Sequence, residues 1–324
     1  MTCNIVMEMQ NQIENYVHLP GQNCVTTAIR NVLNFYGFRF QEPMVLGLAE
    51  GLGFQFKRIN GSPYPYLSGT GKGLIESFCR NVHITIDDRE FGNDQEALDD
   101  VKSHIDRQTP LIVQLDLFYL PYFESEIHFA GHRIVPVGYD DDFIYCSDTG
   151  FLTIQKCPID KFIEARRSVY PPFVTQRRRT RIEKVTERPF VEEMVTKALY
   201  NLSHKIDNHL PGYNLLEILD LRDSLELYKG YPDQLFIQIE KAGTGGGLAR
   251  KMFADFLDLA SQMYLRPIYE LASAIFAESG EHWREIAVIA KKGSLEGIAP
   301  KLPRIYELES RAIKVFSSFE SEDL

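Results

Sequence analysis

The sequence predicts an α+β chain: a first half that mixes helices and strands, followed by a mostly helical half. Three observations carry that reading. Apolar residues recur at helical spacing from Cys24 to Tyr36 and again from Asp94 to Gln108. Between Leu111 and Ser147 the pattern changes to apolar runs bounded by turn formers, as strands require. Beyond about residue 170 strand signals nearly vanish and long helical patterns take over.

Met1 to Tyr16 reads as a short lead-in. The helix that follows has Val25, Ala28, Ile29, Val32, Leu33 and Tyr36 on one stripe. Pro20-Gly21 marks a turn before it, Asn23 is suited to cap it, and Gly37 stands where a left-handed residue ends helices. Gln41 to Leu52 predicts a second helix, and Gly51 to Phe56 turns into a short strand. Asn60 to Gly73 is rich in turn formers and aromatics, which predicts either a loop whose Tyr64 and Tyr66 form a wall of a pocket or an ordered surface loop.

Leu111 to Leu117 predicts a strand, and Gly131 to Tyr139 a second one. The acidic turn Asp140 to Asp142 joins it to Phe143–Ser147 as a hairpin. Pro136 donates no ladder bond, so its strand needs an edge or a bulge there. Gln176 to Pro189 holds six basic side chains against two acidic ones, and the domain junction is placed in this region. The organisation expected is a first domain over 1–170, a basic linker over 171–189 and a helical domain over 190–324. Helical patterns run from Phe190 to Asn208, Tyr213 to Tyr228, Leu248 to Ala277, Trp283 to Lys292 and Ile305 to Phe319.

With 324 residues the chain is long enough to bury a full core, and 25% charged residues is a globular value. A net charge of −10 argues against a dedicated nucleic-acid binder. Five widely spaced cysteines with no C-x-x-C pair fit free thiols in a reducing cytoplasm. No stretch has the length of a membrane span. His204 and His209 lack neighbouring acidic ligands, so no metal site is expected. Nothing in the sequence sets an oligomeric state.

The candidate chemistry is a thiol. Cys24 opens a helix, where free N–H groups and the helix dipole favour a thiolate. Thiol catalysis also needs a base and a group that orients it. His132 begins a strand and offers the base. A three-residue turn at Asp140–Asp142 would pair Tyr139 with Phe143 and therefore oppose Ile134 to Asp148. Asp148 would then lie one diagonal step from His132, on the same face. A two- or four-residue turn would put it on the other face.

Gln22-Asn-Cys-Val-Thr-Thr-Ala-Ile-Arg-Asn-Val-Leu33, taken with Gly131-His-Arg-Ile-Val-Pro-Val-Gly-Tyr-Asp140 and Ser147-Asp-Thr-Gly150, resembles the papain-like core shared with bacteriocin-processing cysteine peptidases. It is more closely similar to the butirosin-biosynthesis acyltransferase H type, a resemblance that extends through Ile239 to Leu257. The resemblance implies a papain-like domain followed by a helical one. It also implies transfer of an acyl group from a carrier-protein thioester onto an amine, in specialised-metabolite biosynthesis. Cys24 would be the nucleophile, His132 the base and Asp148 its orienter. The acyl donor would ride on a phosphopantetheine thioester, and no cofactor would be tightly bound.

Many papain-like enzymes carry a glutamine several residues ahead of the cysteine as an oxyanion donor. This chain offers His18, Gln22 and Asn23 in that region. The cluster that includes Arg177, Arg178 and Arg179 suits an acidic carrier protein or a phosphate, or else a solvated linker. Gly243-Thr-Gly-Gly-Gly247 lacks the Lys-Ser/Thr ending of a phosphate loop and reads first as a turn into a helix. Gly245 and Gly246 remain candidates for holding a phosphate or carboxylate of a substrate. The helical domain is expected to cover the cleft and shape the acceptor pocket. The competing functions are a cysteine peptidase or amidase, and a non-catalytic module that holds a ligand or peptide.

Overall fold

The computed structural model describes residues 11–183 and 192–319. Cys3 and the rest of the lead-in before Asn11, the linker residues 184–189, and the first two residues of the expected Phe190–Asn208 helix lie outside them. In chain order the elements begin with β1 (Asn11–Gln12), α1 (Cys24–Phe35), α2 (Glu42–Leu48), β2 (Leu52–Lys57), β3 (Tyr66–Thr70) and α3 (Leu74–Asn81). Next come β4 (Ile86–Arg89), α4 (Asp94–Asp106), β5 (Ile112–Leu115), β6 (His132–Tyr139), β7 (Phe143–Ser147), β8 (Gln155–Pro158), α5 (Ile159–Arg167) and β9 (Arg179–Ile182). The remainder is helical: α6 (Glu192–Asp207), α7 (Glu217–Asp223), α8 (Pro232–Glu240), α9 (Arg250–Tyr264), α10 (Pro267–Lys291) and α11 (Leu302–Ser317).

The chain divides into two compact units, and the division is discontinuous. One unit holds Met1–Phe40 and Thr85–Val185, the other Gln41–Ile84 and Thr186–Leu324. This corrects the expected boundaries, because residues 41–84 leave the first half and join the helical one. Close packing there explains why. A Cβ on Gly47 of α2 would stand 2.3 Å from the ring of Phe256 on α9, and Phe54 of β2 stacks on Trp283 of α10 at 5.6 Å. The tyrosine-bearing loop is also shorter than expected, since Tyr66 already belongs to β3, which pairs antiparallel with β2.

The first unit is built on a seven-stranded sheet of order β4-β9-β5-β6-β7-β8, with β1 added to β6. Every pairing in it is antiparallel. Leu98, Val101 and Ile105 of α4 share a buried cluster with Phe162 and Ala165 of α5 and with Val113, Leu115, Ile134, Ile144 and Cys146 of the sheet. Asn93 caps α4 by accepting from the Glu96 amide at 2.8 Å. α1 packs on β6 through a stripe in which Ile29, Val32 and Leu33 are fully buried. Gly37 follows it at φ +91°, the left-handed conformation its position predicted.

The expected basic linker contains a strand, β9, which pairs with both β4 and β5, and the arginines at its start and just before it meet acids of the same unit. Arg177 pairs with Asp94, Arg178 with Asp88 at 2.8 Å, and Arg179 with Asp87 at 2.7 Å and Asp100 at 3.2 Å. The charges of Arg177, Arg178 and Arg179 are therefore balanced within the unit. In the second unit the helix expected from Leu248 to Ala277 is two helices, α9 and α10. Leu265 takes a left-handed φ of +54° between them, and Pro267 then opens α10.

Candidate active site

Cys24 is the first residue of α1, and the backbone that delivers it is held by polar contacts. The Asn23 Oδ1 accepts from the amides of Val25 at 3.0 Å and Thr26 at 3.2 Å. From further along the helix, Arg30 donates to the carbonyls of Leu19 and Pro20 at 2.7 and 2.9 Å, and Asn31 donates to that of Leu19 at 2.9 Å. The Gly21 amide donates to the Thr149 carbonyl at 2.9 Å, which ties the approach to Cys24 to the chain leaving β7.

His132 opens β6, where Leu115 of β5 is its partner. Asp148 reaches it by two departures from the expected register that cancel. The hairpin connection is one residue longer than a three-residue turn, so Tyr139 pairs with Ile144 and Gly138 with Tyr145. A β-bulge between Pro136 and Gly138 then absorbs one residue of β6, and Val135 pairs with Ser147. One further step opposes Ile134 to Asp148, which returns Asp148 to the diagonal of His132. Pro136, which needed an edge or a bulge, lies at the bulge.

The Nε2 of His132 lies 2.9 Å from Oδ1 and 3.0 Å from Oδ2 of Asp148, and it donates to that carboxylate. The imidazole has one other nitrogen, so Nδ1 makes its hydrogen bond with the Cys24 sulfur. Cys24 is half-buried, whereas His132 and Asp148 are buried.

Burial acts to raise the Cys24 thiol. The hydrogen bond and charge of His132, with the Arg133 amide, more than offset it and bring the thiol below its usual range. Burial likewise acts to lower His132, but the charge and hydrogen bond of Asp148, then those of Cys24, raise it well above the ordinary imidazole range. The two shifts favour a thiolate beside an imidazolium.

The sequence reading missed what supports Asp148. The Thr149 amide donates to its Oδ1 at 2.6 Å and the Tyr122 hydroxyl to its Oδ2 at 2.9 Å. Tyr122 belongs to the loop from Leu117 to Ala130, whose two ends meet at Asp116. That carboxylate accepts from the amides of Phe118 and Phe129 at 3.2 and 2.8 Å, and from Ser168 Oγ and His128 Nδ1 at 2.7 and 2.8 Å. Phe123 from the same loop stands edge-on to the His132 ring at 5.2 Å. The only sequence signal for this wall was the aromatic density of residues 118–123.

Residues 23–149 match the model described as butirosin biosynthesis protein H, N-terminal. Over this segment the chain is similar to the butirosin biosynthesis protein H family. Residues 160–316 match a second model, described as a domain of unknown function (DUF4872). No curated protein matches the chain in sequence. Among solved structures it is similar to a protein described as a C39-like peptidase from Bacillus anthracis. That likeness is 16% identical, covers 55% of this chain and 98% of the other, and has a TM-score of 0.39.

The other candidates fall out as follows. His18 has no N–H left for an oxyanion: Nε2 donates to the Phe151 carbonyl at 2.9 Å, so Nδ1 accepts from the Ser147 hydroxyl at 2.8 Å. Asn23 turns its side-chain oxygen to the helix start, and Gln22 is exposed beside it. Arg177, Arg178 and Arg179 serve the acids named above. Tyr64 and Tyr66 belong to the second unit, where the Tyr64 ring meets that of Tyr231 at 5.7 Å. Gly245 and Gly246 lie there too, and that loop already holds a carboxylate. The Gly247 amide donates to Glu240 Oε1 at 3.0 Å, and the Gly246 amide donates to Thr244 Oγ1 at 3.1 Å. Among the described residues no helix is long and apolar enough to cross a membrane.

Proposed function

We propose that the chain is a cysteine-dependent N-acyltransferase of specialised metabolism, which takes an acyl group from a thioester and gives it to an amine. The observation that carries the reading is the half-buried Cys24 thiol at a helix start, bonded to an imidazole that is itself fixed on Asp148. Similarity to a family named for butirosin biosynthesis supports a biosynthetic acyl transfer over protein turnover.

In this reading the Cys24 thiolate adds to the thioester carbonyl. The Cys24 amide is among those an α-helix leaves without an intrahelical partner, so it is a donor for the developing oxyanion. The intermediate collapses by breaking the donor's C–S bond, and the departing thiolate takes the proton from His132. The neutral imidazole then accepts a proton from the amine as its nitrogen attacks acyl-Cys24. The C–N bond forms, the C–S bond to Cys24 breaks, and the thiolate–imidazolium pair is restored. Asp148 keeps the imidazole oriented through both halves.

An acidic carrier protein bearing phosphopantetheine is the donor proposed, because a thiol exchanges with a thioester at little free-energy cost. The test supplies the full chain with acyl thioesters of pantetheine, with and without a panel of amines, and separates the products by mass spectrometry. Amide formation that requires Cys24 is the expected result. Acid as the sole product from every donor and amine would make the protein a thioesterase or amidase instead.

A further inference from the structure

Asp148 does not serve His132 alone. Its Oδ2 accepts from His132 at 3.0 Å and from the Tyr122 hydroxyl at 2.9 Å, while its Oδ1 accepts from His132 at 2.9 Å and from Thr149 at 2.6 Å. The Tyr122 ring is held edge-on to Phe151 at 5.1 Å and against Phe123 at 5.4 Å. Phe123 in turn walls His132, so one loop sets both the phenol and the imidazole.

We propose that Tyr122 is a positioning residue of this site: its hydroxyl divides the charge of Asp148 between a phenol and an imidazole, so that His132 holds its proton without keeping it. The inference rests on the thiol reading above. That reading asks His132 to carry a proton in the resting pair and then surrender it to the departing thiolate. A carboxylate given wholly to the imidazole would favour the first task against the second. Burial keeps Tyr122 a neutral donor, well above the range where a phenol ionises. The other groups facing this network do not take over its role. Cys146 and Cys157 are held high by burial, Cys157 at about 12, and remain neutral thiols. On the far side of the imidazole stand Cys24 and the charge of Arg133.

The experiment follows alkylation of Cys24 by iodoacetamide against pH in the full chain, read on the Cys24 peptide by mass spectrometry. Tyr122→Phe keeps the ring and removes the donor. More of the carboxylate's charge then falls on the imidazolium, and the upper inflection of the profile, where His132 loses its proton beside the thiolate, should move to higher pH by about half a unit or more. Turnover at neutral pH should fall several-fold in the same variant, because His132 gives up its proton less readily. A merely structural tyrosine would loosen the pair when removed and move that inflection downward. Site-specific 3,5-difluorotyrosine at position 122 keeps the shape and strengthens the donor, so it should move the inflection downward even if the phenylalanine variant folds poorly. An inflection that is unchanged or lowered in Tyr122→Phe, or unmoved by the fluorinated residue, would overturn the proposal. A wild-type profile like that of a free thiol would instead sink the thiol reading beneath it, and the Tyr122 role with it.

Discussion

Each unit buries a carboxylate against a cationic partner, and the two pairs are built to different ends. In the second unit Arg250 and Glu309 meet bidentately at 2.8 and 2.7 Å with both side chains 0% exposed. The third guanidinium nitrogen donates to the carbonyls of Gly53, Gly69 and Leu248. Glu309 also accepts from Ser279 at 2.6 Å and Trp283 at 3.3 Å. Among the described residues no thiol or imidazole is hydrogen-bonded to either partner. In the first unit His132 and Asp148 are as well hydrogen-bonded, but the cation is an imidazole and its second nitrogen faces a half-buried thiol. Saturation makes the first pair a fastener. One mobile proton beside a nucleophile makes the second a candidate for catalysis.

The contrast predicts effects of different kinds, and the largest is on chemistry. Cys24→Ala should abolish turnover and leave the melting temperature nearly unchanged, since it removes one small, half-buried side chain. Assays of amide formation beside a thermal melt check both halves. His132→Ala should slow alkylation of Cys24 at neutral pH and acyl transfer by roughly 10²–10⁴-fold, again with a modest effect on stability. Equal reactivity in variant and wild type would remove His132 from the site.

Next comes the fastener. Arg250→Met leaves Glu309 buried without its cation, which costs about 3–5 kcal/mol in comparable pairs. Denaturant unfolding should show that loss, and Arg250→Met with Glu309→Leu should recover much of it. Alkylation of Cys24 per folded molecule should stay at the wild-type rate. A selective loss of thiol reactivity in this variant would mean that the two pairs are coupled.

The smallest effect is pH-dependent and tests a third carboxylate, Glu50 of the second unit. Burial acts to raise it, but Lys205, then Asn81 and Arg80, hold it below the ordinary carboxylate range. A depressed pKa means that the unfolded chain binds the proton more readily. The stabilisation is therefore complete above the ordinary glutamate value and is lost as pH falls through the lower, folded one. Glu50→Gln should cost about 1–3 kcal/mol at pH 7 and less at pH 3. Urea unfolding at the two pH values reads the difference, and an equal loss at both would show that the charge contributes nothing.

Local features of the sequence were legible because local physics sets them. Asn23 as the cap of α1, Gly37 as its end, and the extents of α4 and β5 all follow from neighbours within a turn or two. Partnerships over long separations were not. The apolar residues of 41–84 announce a helix and a strand, yet nothing in them says that their partners are Phe256 and Trp283. Arg177, Arg178 and Arg179 look unpaired in sequence because Asp87, Asp88, Asp94 and Asp100 lie some eighty to ninety residues upstream. The geometry at Asp148 is the subtlest case. A turn-counting argument named the right face although the turn has another length, because the bulge at Pro136 compensates. Tyr122 was invisible, since a hydrogen bond across 26 residues from a loop tyrosine leaves no periodic trace.

The central claim is that Cys24 carries the acyl group, and the most direct measurement is the intact mass of the full chain after brief exposure to an acyl-pantetheine thioester at neutral pH. The account predicts a single adduct of the acyl mass, located on the Cys24 peptide, absent from Cys24→Ala and discharged when a competent amine is added. An adduct distributed over other cysteines, or one that forms equally in Cys24→Ala, would contradict it.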